Sequence, residues 1–287
     1  MVIRIALALT CLLVGCSTEP SASSASRSPV SFPPGITSEA GRDFEGSAAV
    51  HDIRYSSGSR QVEAYLVLPR ANPARAGVLF FHWLSGQGGD RGEFKAEAVG
   101  LAQDGIASLL IQGDFPWSTQ PSGADHDTQA IRAEGAGVEA GLDLLLKQPG
   151  VDAHHLAFVG HDYGAMHGAT VLAGDTRLAG AVLMAPDAQW VNWFSDYWKF
   201  LTTTQERDDY AKAMQPLDPV TTLRSARCKV LLQFARQDEF LPSDRAIAVE
   251  AAVPAALRST SWYDGDHGFN DAARADRDAW LLSLFAG

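Results

Sequence analysis

The chain has 287 residues, enough for one large α/β domain or, at a stretch, two small ones. Its 46% hydrophobic and 20% charged content is that of an ordinary globular protein with a sizeable core. A formal net charge of −11 argues against a nucleic-acid partner, because phosphate binding needs clustered Lys and Arg.

In chain order, Arg4 is followed by an apolar run from Ile5 to Val14, too short to span a bilayer as a helix. The run ends in Leu13-Val14-Gly15-Cys16, which resembles the bacterial lipoprotein signal. That resemblance implies a signal peptide over 1–15, lipid on Cys16, and a membrane partner reached through that anchor. The location it implies is the bacterial cell envelope, on the outer-membrane, periplasmic or cell-surface side. Residues 16–38 are Ser- and Pro-rich, cannot build a core, and read as a tether ahead of a domain over 39–287. With Cys11 in the signal and Cys16 lipidated, Cys228 stands alone, so no intramolecular disulfide is expected.

Two alternating runs, AAVHDIRYSS and RQVEAYLVLP, flank Ser57-Gly58-Ser59 and predict a β-hairpin. Short apolar strands then alternate with helical patterns. The strands are Gly77 to Trp83, Ile106 to Gln112, Leu156 to Gly160, Leu178 to Met184, Lys229 to Ala235 and Leu257 to Tyr263. Helices are expected over Glu93–Gln103, Thr128–Lys147, Ala165–Leu172, Ser243–Ala252 and Asp271–Phe285. Such alternation predicts an α/β fold with a mostly parallel central sheet and helices on both faces. In such a sheet the functional site lies at the carboxyl ends of the strands.

An insert over 187–227 breaks the alternation. Trp190, Trp193, Phe194, Tyr197 and Trp198 fall on one helical face there, either as core packing or as a short aromatic lid.

The stretch LAFVGHDYGAMHGA, residues 156–169, reads as strand, tight turn and helix, with Asp162 between Gly160 and Gly164. A nucleophile on such an elbow needs flanking glycines, because side chains would clash in the strained turn. Gly88-Gly89-Asp90-Arg91-Gly92 also matches the spacing but lacks the strand-to-helix context, and no G-x-S-x-G or G-x-C-x-G occurs. Asp238 follows the strand KVLLQFA, and His267 lies in the loop before the last helix. Nucleophile, acid and histidine therefore run in hydrolase order, as Asp162, Asp238 and His267. Asp264 and Asp266 are rivals to Asp238 but read as turn residues. The loop His82-Trp83-Leu84 follows an earlier strand, and backbone N–H groups of Trp83, Leu84 and Tyr163 are the candidate oxyanion donors. His82, Trp117, Trp190 and Tyr197 are candidate pocket residues, with His82 read as a brace for its loop. Neither a cofactor nor a metal is expected.

These features resemble the α/β-hydrolase superfamily. The hairpin, the His82-Trp83 loop and the short insert resemble its dienelactone hydrolase-like and acyl-esterase branch over roughly residues 48 to 285. That branch normally has cysteine or serine where this chain has Asp162. The stretch GHDYG is instead similar to the elbow of haloalkane dehalogenases and epoxide hydrolases, which usually carry tryptophan where this chain has Tyr163.

Carboxylate attack on an ester carbonyl gives a mixed anhydride that readily reverts. Attack on a saturated carbon displaces halide or opens an epoxide, leaving an alkyl ester on Asp162 that His267 and water can cleave. The first expectation is therefore an Asp162-nucleophile hydrolase acting at a C–O or C–halogen bond of a small apolar substrate. Its leaving group would be met by Trp83, Trp117 or Trp190 for a halide, or by Tyr163 or Tyr197 for an epoxide oxygen. The alternative is a carboxylic ester or lactone hydrolase in which Asp162 acts as a base on water. A second alternative is a non-catalytic surface lipoprotein on a hydrolase scaffold.

Overall fold

A sheet of nine strands organises the protein, and the chain's apolar runs explain its buried centre. The computed structural model describes residues 33–84 and 89–286. The expected signal peptide, Cys16 and the tether up to residue 32 lie outside the described residues, as do residues 85–88. Three strands open the fold: β1 (Ser38–Glu45), β2 (Ala48–Ser57) and β3 (Arg60–Pro69), paired antiparallel in sequence. The hairpin closes at Ser57 opposite Arg60, with Gly58 at φ 59°, a left-handed turn conformation that glycine adopts without strain. β1 is not expected from the sequence, which predicts no strand over Ser38–Glu45. Most of SEAGRDFE is exposed and polar, so no apolar alternation marks it as an edge strand.

The remaining strands are β4 (Ala76–Phe81), β5 (Ile106–Ile111), β6 (Leu156–His161), β7 (Leu178–Met184), β8 (Lys229–Ala235) and β9 (Arg258–Tyr263). Their order in the sheet is β1-β2-β3-β5-β4-β6-β7-β8-β9, parallel from β5 onward, with β3 antiparallel to β5. β4, β5 and β6 are buried along their whole length, which is why they read as unbroken apolar runs.

Helices cover both faces. One apolar layer joins β-strand side chains such as Leu79, Leu109 and Phe158 to α2 (Ala124–Leu146) and α3 (Tyr163–Leu172). The other joins Val78, Phe80 and Val159 to α1 (Lys95–Leu101) and α8 (Asp271–Leu284). Between β7 and β8 lie α4 (Trp190–Trp198), α5 (Thr204–Met214) and the single turn α6 (Pro219–Thr222). α5 starts at a capping box in which Thr203 accepts from Glu206 N–H and Glu206 returns a bond to the Thr203 N–H. After β8 comes α7 (Ser243–Ala252).

The chain leaves β4 for β5 on one side and reaches β6 on the other. The strand order therefore reverses about β4, and a crevice opens beyond the carboxyl ends of β4 and β6.

Candidate active site

The elbow follows from three glycines. A Cβ on Gly164 would lie 2.1 Å from the Phe81 carbonyl oxygen, and one on Gly160 2.6 Å from the Gly164 carbonyl carbon. Both obstacles are backbone, so only glycine lets β6, the turn and α3 pack this closely. Gly168, a turn later, would drive a Cβ to 2.3 Å from the Phe158 ring. Between them Asp162 adopts φ 47°, ψ −108°, a conformation rare for an L residue and held by Asp162 N–H to Met184 O (2.8 Å) and Met166 N–H to Asp162 O (2.9 Å). The turn thrusts the carboxylate beyond the sheet at the N-terminus of α3, where the helix dipole favours negative charge.

Asp162 is buried, with 4% of the residue exposed. Its Oδ1 accepts from the indole N–H of Trp193 at 2.7 Å, and its Oδ2 lies 3.4 Å from the Leu84 N–H, a long hydrogen bond. Burial pushes this carboxyl above the ordinary carboxylate range, against His267, the Trp193 N–H, His161 and the backbone N–H of Tyr163, which all favour the charged form.

His267 and Asp238 meet as a pair. His267 Nδ1 lies 2.8 Å from Asp238 Oδ2, and Asp238 Oδ1 accepts the Phe240 and Leu241 N–H groups at 2.9 Å each. For Asp238, burial works toward a higher value but is outweighed by His267 and the two N–H groups, so the carboxyl stays below its usual range. For His267, burial works toward a lower value, and the Asp238 bond with the charges of Asp162 and Asp238 lifts it above the usual imidazole value. Asp162, Trp193 and His267 line one narrow cleft with Ala185, Asp187, Asp196, Phe240 and Leu241. Asp264 pairs instead with Arg236 at the surface, and Asp266 accepts the Gly268 N–H, as turn residues do.

Other candidate residues stand differently from the sequence expectation. The Trp83 N–H, an expected oxyanion donor, is turned to Glu93 Oε2 at 2.8 Å, while its ring stacks on His161. That leaves the Leu84 and Tyr163 N–H groups beside Asp162. Both ring nitrogens of His82 are engaged, Nδ1 with Trp83 O (2.8 Å) and Nε2 with Gly113 N–H (3.0 Å). Because Nε2 accepts, Nδ1 carries the proton, and the ring is a neutral brace whose burial holds its pKa down. Trp117 is half-buried against His82 and Tyr163 and does not line the cleft.

Trp190, expected in the pocket, is fully buried, gives its indole N–H to Leu217 O at 3.1 Å, and does not line the cleft. The Tyr163 hydroxyl donates to Phe115 O and is likewise spent. The side chain of Tyr197 lies outside the described residues. The sequence does not single out Trp193 as a site residue, although its indole reaches Asp162. Its place three positions after Trp190 put it on the aromatic face, but nothing in the sequence tells which indole reaches the elbow. Among the described residues no group of three or more His, Cys, Asp or Glu side chains is placed to hold a metal ion.

Geometrically, the cleft combines a carboxylate on a strained elbow, an acid-oriented imidazole and two backbone donors, the parts needed to bring water onto a carbonyl carbon.

No family model matches the chain, and no curated protein matches it in sequence. Solved structures do. Acetyl xylan esterase 1 from Thermoanaerobacterium sp. JW/SL YS485 superposes with a TM-score of 0.69 at 14% identity, over 87% of this chain and 88% of that one. A cold-adapted esterase from an Arctic intertidal metagenomic library gives 0.64 at 16% identity, over 86% and 99%. A candidate dienelactone hydrolase from Klebsiella pneumoniae subsp. pneumoniae MGH 78578 gives 0.56 at 17% identity, over 80% and 94%. With its reversal about β4, its elbow after β6 and these structural likenesses, the chain has the α/β-hydrolase fold.

Proposed function

We propose that this protein is a hydrolase in which His267, oriented by Asp238, drives water onto an ester carbonyl, with small carboxylic esters or lactones as substrates. The observation that carries the reading is the 2.8 Å His267–Asp238 bond facing the same cleft as the elbow carboxylate. The names of the structurally similar esterases support the substrate class. In this reading Asp162 and His267 hold the attacking water between them. The Leu84 and Tyr163 N–H groups take up the oxyanion charge. The narrowness of the cleft and its apolar lining by Trp193, Phe240 and Leu241 favour a short acyl or lactone portion.

A second reading has its own observation. Asp162 Oδ2 already faces the Leu84 N–H, where the oxyanion of an alkyl ester on Asp162 itself would form during its hydrolysis. That placement favours Asp162 as nucleophile on an epoxide or haloalkane carbon, with Trp193 in place of the donors expected from sequence.

Single turnover in ¹⁸O-labelled water separates the two. In the ester reading the label enters the product acid and none enters the peptide holding Asp162. Label in the Asp162 carboxylate after epoxide or haloalkane turnover supports the second. Turnover of none of these substrates overturns both. The N-terminal pattern further supports a lipid-anchored envelope protein. Mass spectrometry of the mature N-terminus should find acyl chains on Cys16, and an unmodified cysteine or an uncut signal would refute it.

A further inference from the structure

We propose that Glu93 and His161 are positioning residues that tie the oxyanion loop to the loop carrying His267; the proposal rests on the hydrolase reading above. Glu93 sits in the turn before α1, 68 positions from His161 at the end of β6. Its Oε2 accepts the Trp83 N–H at 2.8 Å, and its Oε1 lies 2.7 Å from His161 Nδ1. The other ring nitrogen, His161 Nε2, lies 3.0 Å from the backbone carbonyl oxygen of His267. A carbonyl only accepts, so Nε2 carries a proton and donates it there. The bonds thus run without a gap from the main chain of Trp83, through Glu93 and His161, to the main chain of His267.

Ring contacts follow the same line. His161 stacks on Trp83 with centroids 5.1 Å apart and planes 4° from parallel, and it meets the His267 ring at 4.9 Å. The His161 side chain is 2% exposed and that of Glu93 17%, so water competes little for these bonds. Side chains commonly bond backbone groups, so what matters is which backbone this pair reaches. It ends on the backbones of two site loops, next in sequence to Leu84 and next in space to the His267 imidazole. Neither Trp83 nor His267 belongs to a strand, so the sheet ladder does not fix either group. Misplacement of a reacting group by an ångström costs up to about 100-fold in rate, and the Glu93–His161 link adds a restraint that spans both loops, beside the His82 brace and the Asp238 bond that each act on one.

The test compares the full chain with Glu93→Ala and Glu93→Gln. The glutamine keeps an acceptor for the Trp83 N–H and puts an amide N–H toward His161 Nδ1, so it preserves the chain of bonds. ¹⁵N-histidine NMR reads the titration of the His267 ring and its Nδ1 proton whether or not a substrate is found. Glu93→Ala should shift that titration and broaden the Nδ1 proton, and Glu93→Gln should restore both. On an ester substrate, Glu93→Ala should lower kcat by up to about 100-fold with KM within about two-fold, and Glu93→Gln should recover most of it. Should Glu93→Ala not fold, His161→Gln keeps the donor to His267 O, cuts the link to Glu93, and should move the same readouts. An unchanged His267 titration in the folded variants overturns the proposal, as does a glutamine variant no better than alanine. If the wild type turns over no ester or lactone, the functional reading fails, and the NMR comparison still decides this inference.

Discussion

The indole N–H of Trp193 donates to Oδ1 of Asp162 at 2.7 Å, a bond that joins the insert to the elbow across 31 positions of sequence. The insert thus places a directed donor on the one buried carboxylate at the turn. Trp193→Phe keeps the ring and removes the donor. A hydrogen bond to a charged group contributes about 1.5–3 kcal/mol, so kcat/KM should fall roughly 10- to 100-fold. The Asp162 carboxyl, already lifted by burial, should rise further, moving the acid limb of the pH–rate profile to higher pH. A limb that stays in place would show that the bond does not act on the ionised form.

Asp162 also marks the stability of the fold. Its folded pKa lies above its unfolded one, so the native state holds this proton more tightly. Wild-type stability should therefore fall as pH rises through the window from the ordinary value of 3.8 up to the folded value, and then level off. Asp162→Asn removes that loss. Melting curves from pH 4 to 8 should show the variant gaining on the wild type as pH rises, by about 2–4 °C for each kcal/mol recovered. A gap that narrows with pH would contradict the burial of this charge.

The His267–Asp238 pair predicts a maximum rather than a one-way fall. Asp238, held low, stabilises above its unfolded value of 3.8, and its contribution is lost as pH falls. His267, held high, stabilises fully below its unfolded value of 6.5, and its contribution is lost as pH rises through the folded value. Asp238→Asn should thus cost most stability between those two values and less at either extreme. Activity should fall by up to about 10⁴-fold, as when an orienting carboxylate is lost from a triad. Thermal unfolding across pH and initial rates check the two halves.

Much of the fold was legible because its signals are local. Six apolar runs, two glycines around Asp162 and the order Asp162, Asp238, His267 all sit within short windows. What the sequence hid depends on distant groups. Trp190 and Trp193 share one helical face, and only packing against Leu217 O and Asp162 separates the buried anchor from the site donor. Glu93 read as the first residue of a helix that begins at Lys95, because its bonds to Trp83 and His161 are tertiary. β1 was hidden because an exposed edge strand needs no apolar face.

The elbow's glycines give a test independent of any substrate. Gly164→Ala would set a methyl 2.1 Å from a backbone oxygen that cannot retreat without moving β4. Urea unfolding should show a loss of about 3 kcal/mol or more, or no folded protein. Gly174 has nothing within 4 Å of an added Cβ and no left-handed backbone, so Gly174→Ala should be neutral or gain about 0.4–1 kcal/mol. Equal effects at the two positions would contradict the close approach of α3 to β4.

Initial rates on a panel of short-chain esters and lactones, for the wild type and His267→Gln, test the central claim most directly. Turnover by the wild type with a loss of about 10²- to 10⁴-fold in the variant is the expected result. Equal rates in the two proteins, or no hydrolysis of any ester or lactone by the wild type, would contradict it.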